Sequence, residues 1–321
     1  MKVGLVGVGE LGLAIGANML EAGHELLVYD VRPQGIEEIV TRGALVTSSA
    51  PELAAAVQVV LTALPTPAIV EDVLLGSGGV LDAMQSGGVW IDHSTTDRDL
   101  LMKIEKLARA KDVDVIEAPV TGGIPLAHAG CITVLAGATE IAFTQYKSML
   151  DVVGQPVIHI GPVGSASIVK VMTNMLAFVH LWALNEGLMF ATAAGLETGA
   201  VYEAIKHSCG NSFVAETEGV PIMTGSFDYG FTMELALKDM KLVEKIATEN
   251  NVPLLMGGLA TQILQRGIAR YGAKAWSTGI GRLLEDELGI ELRAPGYETE
   301  QRWAGYDSNR EPDLATEDAC D

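Results

Sequence analysis

The first thirty residues constrain the fold of this chain more than any other segment, because they place a glycine turn between two apolar patterns. A short apolar run ends at Val6, the turn reads Gly7-Val-Gly9-Glu-Leu-Gly12, and a helical apolar pattern continues to Leu20. This order predicts a strand, a tight turn and a helix whose amino terminus faces bound phosphate groups.

The glycines of this turn predict a dinucleotide site. Gly7 permits the tight turn, Gly9 lets the backbone approach a pyrophosphate, and Gly12 permits close packing of helix and strand. The next apolar run ends in an acid, Asp30, where a ribose-binding carboxylate is expected, although a strand-end or capping role is the alternative. The acid favours NAD, and the neighbouring Arg32 leaves NADP possible. The predicted cofactor-binding residues of this segment are Gly7, Gly9, Glu10, Leu11, Gly12, Asp30 and Arg32.

Charge and composition limit the classes of partner. The formal net charge is −20, which argues against nucleic acid or an anionic membrane, so we expect neither as a partner. Three scattered cysteines and six histidines without ligand spacing predict no disulfide framework and no metal site. Glu10 and the glycines interrupt the only segment that resembles a signal peptide. We therefore expect a cytoplasmic protein.

Alternating strand and helix patterns extend to about residue 160. Such alternation predicts an α/β fold with a mostly parallel sheet and right-handed crossovers. We interpret residues 1–163 as a Rossmann-like, doubly wound dinucleotide-binding domain. Beyond the first two strands, further strands are predicted at 57–64, 88–92, 114–117, 132–137 and 157–160.

After residue 163 a long helix is followed by helical segments predicted at about 199–208, 233–250, 253–270 and 279–288, with no convincing strand. Residues 164–292 are predicted to form an all-α substrate and dimerisation domain, which begins with a long helix at about 165–194. This helix is apolar on every side, so it should be buried in the core of its domain or in a dimer. We therefore expect a homodimer or homotetramer. Residues 293–321 are polar and acidic and are predicted to form a loose tail.

The start of the long helix carries a lysine and an asparagine in a small, apolar context. Lys170 and Asn174 are four residues apart, so both lie on one helix face. An apolar setting disfavours the charged form of a lysine, which suits it to proton transfer, and the asparagine can orient a substrate. The more ordinary alternative is a solvated lysine that only packs its stem.

Four motifs occur in order along the chain. They are Gly7–Gly12, Glu117-Ala-Pro-Val-Thr-Gly-Gly123, the segment 161–174, and Leu237-Lys238-Asp239. Together they resemble the motifs of the β-hydroxyacid dehydrogenases, a family that includes 3-hydroxyisobutyrate dehydrogenase and tartronate semialdehyde reductase. The resemblance implies an NAD(P)-dependent oxidoreductase that interconverts a small β-hydroxy acid with its semialdehyde or keto form.

The resemblance also implies roles for individual residues. Lys170 matches the catalytic lysine and Asn174 the substrate-orienting asparagine, while Lys238 matches a lysine that closes over cofactor and substrate. The loop that binds the substrate carboxylate corresponds to Thr121, Gly122 and Gly123. Positions that line the cofactor cleft correspond to Leu64, Pro65 and Thr95.

Two positions depart from the family pattern. Thr121 replaces the commoner serine, keeps the hydroxyl group and adds a methyl group that is expected to trim the pocket. Ala166 replaces the second glycine of a G-x-G, which is expected to shift the loop before the catalytic helix slightly.

Three alternatives to a hydroxyacid dehydrogenase remain at this stage. An imine reductase shares the architecture but usually lacks the lysine at position 170. A 6-phosphogluconate dehydrogenase usually has Lys-x-x-His-Asn where this chain has Met172-Thr173 before Asn174. A non-catalytic dinucleotide sensor or scaffold would need neither Lys170 nor Asn174, because a fold alone does not establish catalysis.

Overall fold

A computed structural model describes residues 1–297, which form two compact units. The first unit comprises residues 1–170 and the second begins at Val171, inside a single long helix. Each unit has its own hydrophobic core. This division falls at residue 170, and the domain limits predicted at residues 163 and 292 stay predictions.

The first unit contains a nine-stranded sheet. Its strands are β1 (Lys2–Val6), β2 (Glu25–Tyr29), β3 (Leu45–Val46), β4 (Val59–Thr62), β5 (Val89–Asp92), β6 (Asp114–Glu117), β7 (Val120–Thr121), β8 (Thr133–Gly137) and β9 (Val157–Gly161). The order is β3-β2-β1-β4-β5-β6-β8-β7, and β9 pairs with β8. The six strands from β3 to β6 in this order are parallel, whereas β8 runs antiparallel to β6 and β7. This arrangement confirms the predicted α/β class.

Helices cover both faces of this sheet. They are α1 (Glu10–Glu21), α2 (Pro33–Thr41), α3 (Ala50–Ala55), α4 (Pro67–Leu75), α5 (Val80–Ala83), α6 (Arg98–Arg109), α7 (Ile124–His128) and α8 (Glu140–Val153). Val59 and Leu61 belong to one core and Val60 to another, as expected when successive strand residues point to opposite faces. The strand order reverses between β1 and β4, and the carboxyl edge at such a reversal is the usual ligand position in α/β sheets.

The second unit is helical in its described part. After α9 (Ser165–Ala193), its helices are α10 (Thr198–Lys206), α11 (Phe213–Thr224), α12 (Met233–Glu249), α13 (Leu255–Tyr271), a 3₁₀ helix (Ser277–Gly281) and α14 (Arg282–Leu288). Up to residue 297, the strand-type pairing in this unit is one isolated bridge between Thr232 and Trp276. The all-α prediction for the second part of the chain is confirmed.

One helix of this unit, α11, is missing from the sequence interpretation. Gly219 and Pro221 lie inside it and make the segment read as a turn. The Ser212 side chain caps the helix by accepting a hydrogen bond from the Ala215 N–H, and a Cβ at Gly219 would lie 2.3 Å from the ring of Tyr202. Close packing against the tyrosine therefore requires a glycine that local propensity disfavours.

Within one chain the long helix α9 is not buried on every side, so the burial of its exposed apolar face in a dimer stays a prediction. Ile168, Met172, Leu176 and Phe190 are exposed, and Phe190 keeps 79% of its surface accessible. Among the described residues this helix is long and apolar enough to cross a membrane, a criterion that core helices of soluble proteins also meet. Ile168, Met172 and Leu176 recur every fourth residue, and Phe190 lies on the same helix face beyond the exposed Glu186, so the four side chains form an interrupted apolar stripe.

The predicted acidic tail begins at Arg293, and its first residues contact the helical unit. Arg293 pairs with Glu285 at 2.7 Å, and the Tyr297 hydroxyl donates to Glu203 at 2.9 Å. The rest of the predicted tail, residues 298–321, lies outside the described residues.

Candidate active site

The glycine turn between β1 and α1 has the geometry of a phosphate-binding loop. Gly7 has a φ of 95°, and a Cβ at Gly12 would lie 1.9 Å from the Gly7 carbonyl oxygen, so the helix packs directly on the turn. Gly9 precedes α1 in an extended conformation, and a Cβ there would meet only the Arg32 guanidinium within 4 Å. The Gly9 backbone is therefore open to close approach by a pyrophosphate, and the residues present fit a dinucleotide.

Asp30 lies against this turn although it is 22 residues away in sequence from Val8. Its Oδ2 accepts a hydrogen bond from the Val8 N–H at 2.7 Å, and its Oδ1 accepts one from the Arg32 N–H at 2.8 Å. The Arg32 Nε is 3.7 Å from Oδ1, on a side chain that is largely exposed. A carboxylate and an exposed guanidinium therefore lie side by side at this turn, where the adenosine ribose of a dinucleotide is expected.

The loops after β4 and β5 are joined at the carboxyl edge of the sheet. The Leu64 N–H donates to the Ser94 hydroxyl at 2.9 Å. Of the predicted cleft positions, Leu64 and Pro65 follow β4 and Thr95 follows β5. The structure therefore places these three residues on two adjacent, hydrogen-bonded loops.

A buried aspartate that the sequence interpretation did not single out supports these loops. The Asp92 carboxylate accepts hydrogen bonds from Thr62 at 2.7 Å, from the Ser94 N–H at 3.1 Å and from Thr96 at 3.0 Å. Burial raises the pKa of Asp92, although these hydrogen bonds act in the opposite direction. Its position at the end of a parallel strand, in front of a Ser-Thr-Thr run, is the signal that would have indicated it.

The predicted carboxylate-binding loop follows β6 and begins in β7. Thr121 ends β7, and Gly122 and Gly123 adopt φ angles of 131° and 96°. A side chain at either glycine would be strained at such angles, so the path of the loop depends on glycine. The loop therefore combines one hydroxyl group with the backbone of two glycines.

Lys170 and Asn174 lie one turn apart on α9, as predicted. Lys170 is buried, with 9% of its surface accessible. The Asn174 amide donates to the Asp239 carboxylate at 2.6 Å, and the Lys238 Nζ is 3.2 Å from the other oxygen of Asp239. Asp239 is buried, is 65 residues from Asn174 and is a further polar residue of the candidate site. Sequence reasoning included it in a motif but gave it no role.

Asp239 settles the orientation of the Asn174 side chain. The amide nitrogen donates to the Asp239 carboxylate, so this hydrogen bond turns the nitrogen end of the amide toward Asp239. The same carboxylate pairs with Lys238, so the predicted cofactor and substrate lysine lies in this network on α12.

Among residues 1–297, no three His, Cys, Asp or Glu side chains form a group that could hold a metal ion. His93, the buried histidine next to Asp92, binds the Ala118 carbonyl through Nδ1 at 2.8 Å. Burial lowers the pKa of His93 to about 4, so its ring is neutral near pH 7.

Comparison with known proteins agrees with this arrangement. The family model for the NAD binding domain of 6-phosphogluconate dehydrogenase matches residues 2–161. The family model described as NAD-binding of NADP-dependent 3-hydroxyisobutyrate dehydrogenase matches residues 164–284. A curated relative, 2-(hydroxymethyl)glutarate dehydrogenase of Eubacterium barkeri, is 33% identical and covers 91% of this chain and 97% of its own.

Two further proteins are similar over most of the chain. The mitochondrial 3-hydroxyisobutyrate dehydrogenase of Drosophila melanogaster is 31% identical and covers 82% of this chain and 83% of its own. The solved structure of 3-hydroxyisobutyrate dehydrogenase from Salmonella typhimurium is 28% identical, with a TM-score of 0.81 over 88% of this chain and 99% of that chain.

Proposed function

Because the chain belongs to the β-hydroxyacid dehydrogenase family and is an NAD(P)-dependent oxidoreductase, we propose that it acts on 3-hydroxy acids with a substituent on carbon 2. The named substrates of the relatives, 3-hydroxyisobutyrate and 2-(hydroxymethyl)glutarate, share a hydroxymethyl group on the carbon beside a carboxylate. The product of oxidation is the corresponding semialdehyde. The shared hydroxymethyl acid is the substrate class proposed for this chain.

We propose Lys170 as the general acid and base of the reaction. The observation that carries this role is a buried lysine on α9, one helical turn before an asparagine whose amide is fixed by Asp239. In oxidation, the neutral amine accepts the proton of the substrate hydroxyl, and in reduction the ammonium returns it. Asn174 orients the hydroxyl group toward the lysine.

The remaining roles follow from charge and geometry. Thr121 and the backbone of Gly122 and Gly123 hold the substrate carboxylate through hydrogen bonds to its oxygens. The bound nicotinamide supplies the hydride acceptor or donor. The dinucleotide that carries the nicotinamide binds to Gly7, Gly9, Gly12 and Asp30. Further predicted contacts of the cofactor are Lys238 and the loops at Leu64, Pro65 and Thr95.

A substrate panel tests the proposal. Purified protein with NAD or NADP would be assayed by the absorbance of the reduced nicotinamide, with 3-hydroxyisobutyrate, 2-(hydroxymethyl)glutarate, serine, glycerate, threonate and 4-hydroxybutyrate. We expect the highest kcat/KM with one of the first two acids. A cyclic imine in the reductive direction is the matched comparison, and faster turnover of the imine than of every acid would assign an imine reductase instead.

We predict a preference for NAD over NADP. The Asp30 carboxylate accepts ribose hydroxyls and repels a 2′-phosphate, while Arg32, 3.7 Å from it, offsets part of the repulsion. The expected result is a higher kcat/KM with NAD, and Arg32→Ala should increase the preference. Equal or better use of NADP by the unmodified protein would show that Arg32 dominates.

We also propose that the protein assembles as a homodimer or as a tetramer of dimers through α9. The support is the apolar stripe of Ile168, Met172, Leu176 and Phe190, which a monomer leaves in contact with water. Isologous pairing of this stripe with that of a second copy would remove it from water on both chains.

Light scattering tests the assembly at micromolar concentration. We expect a mass of at least twice the 33.8 kDa chain, and Phe190→Asp should shift the protein toward the monomer. Ile141→Asp is the matched control, because Ile141 on α8 is equally exposed, at 78%, and lies outside the stripe. A monomer for the unmodified protein would contradict the proposal.

A further inference from the structure

A buried carboxylate holds the start of the long helix α9. Glu117 ends strand β6 and has 1% of its surface accessible. Its Oε1 accepts a hydrogen bond from the Ala166 N–H at 2.7 Å, and its Oε2 accepts one from the Ser167 N–H at 3.1 Å. These donors belong to the first turn of α9, where N–H groups have no partner within the helix.

The Glu117 side chain occupies the space beside Gly137 of strand β8. Gly137 pairs with Glu117 across the sheet, and a Cβ at Gly137 would lie 2.1 Å from Oε1 and 2.6 Å from Cγ of Glu117. Any side chain at residue 137 would therefore displace the carboxylate from the helix. Gly137 is extended, so the constraint comes from the space that Glu117 occupies.

The position of Glu117 in the chain links two predicted parts of the candidate site. It lies four residues before Thr121, at the beginning of the predicted carboxylate-binding loop. One of the N–H groups it binds, that of Ala166, lies four residues before Lys170 and on the same helix face. A single side chain therefore fixes the position of the catalytic helix relative to the strand from which the substrate loop departs.

The ionised form of Glu117 is the form that can accept both hydrogen bonds. A carboxylate presents acceptor oxygens to both N–H groups, and the positive end of the helix dipole favours its charge. Burial raises the pKa of Glu117 to about 7, against the effect of these hydrogen bonds. A glutamine has the same shape, but its amide NH₂ group would face one of the two N–H donors, and that hydrogen bond would be lost.

We propose that Glu117 is a positioning residue of the reaction, which places Lys170 relative to the bound substrate by holding the first turn of α9. This role rests on the function proposed for Lys170. It is distinct from the ordinary capping of a helix, because the carboxylate comes from the strand that leads into the substrate loop. It also accounts for the glycine at residue 137.

The first test compares two buried acids. Glu117→Gln should lower kcat by about 10- to 100-fold, because a displacement of a catalytic group by about 1 Å has an effect of this order, and should leave the KM for NAD within about two-fold. Glu218→Gln is the matched control. Glu218 is buried in α11 of the second unit, its pKa is raised to about 8 by burial, and its substitution should leave kcat within about two-fold.

The second test does not alter Glu117 itself. Gly137→Ala should lower kcat in the same way, because the new methyl group displaces the carboxylate. In a Glu117→Ala background the space is vacant, and Gly137→Ala should change kcat by less than about two-fold. A merely structural role would couple the two substitutions in stability, because the residues are in contact, but would leave the kcat of the folded protein independent of the background.

A Lys170→Ala variant distinguishes failure of the positioning role from failure of the proposed function. If Lys170→Ala lowers kcat but Glu117→Gln lowers only the melting temperature, the positioning role is wrong and the function stands. If Lys170→Ala has no effect, the proposed function is wrong. If Glu117→Gln does not fold, Gly137→Ala and Glu117→Asp, which retains the charge, carry the test, and full kcat in both would overturn the proposal.

Discussion

Replacing Lys170 with alanine is expected to lower kcat by about 10²- to 10⁴-fold, the usual contribution of a general acid or base. The affinity for NAD should change little, because the dinucleotide is proposed to bind mainly to the glycine turn and Asp30 and not to Lys170. The variant should fold, since alanine has the highest helix propensity and residue 170 lies inside α9. Steady-state kinetics on the best substrate and a direct measurement of NAD binding provide the comparison.

Two further measurements make this prediction specific. Lys170→Arg should be as inactive as Lys170→Ala, because a guanidinium stays protonated and cannot accept the hydroxyl proton. For the unmodified enzyme, kcat/KM for oxidation should rise with pH and reach a plateau as the base loses its proton. Retention of more than about a tenth of kcat by Lys170→Ala would show that the lysine is structural.

The second large effect is expected at the glycine turn. Gly9→Ala should weaken NAD binding by about 10- to 100-fold, because the methyl group occupies the space that a pyrophosphate needs, and overpacking of this kind costs about 1–3 kcal/mol. The fold should be unaffected. Gly9 is in an extended conformation that alanine adopts, and its new Cβ would meet only the flexible Arg32 guanidinium, at 3.2 Å.

Gly12→Ala provides the contrast within the same turn. Its Cβ would lie 1.9 Å from a backbone oxygen, that of Gly7, so this substitution should reduce both NAD affinity and the melting temperature. Comparison of the two variants therefore distinguishes a glycine that ligand binding requires, Gly9, from one that the fold also requires, Gly12. Unchanged NAD affinity in Gly9→Ala would mean that the pyrophosphate does not bind at this turn.

The features of the fold that depend on residues close together in sequence could be predicted from the sequence alone. The turn at Gly7–Gly12, the alternation of strands and helices, the all-helical second part and the spacing of Lys170 and Asn174 are local patterns, and the structure agrees with them. Helix and strand periodicities repeat within a few residues, so they can be recognised without knowledge of the tertiary contacts. The family was indicated for the same reason, because its motifs are short segments.

Only the tertiary structure decided which side chains meet across long distances in sequence. Asp239 binds Asn174 from 65 residues away, and Glu117 binds the start of α9 from 49 residues away. It also decided that α11 forms in spite of Gly219 and Pro221, and that α9 leaves an apolar stripe uncovered. The physical reason is that burial and side-chain hydrogen bonds depend on how elements pack, and packing routinely overrides local propensity.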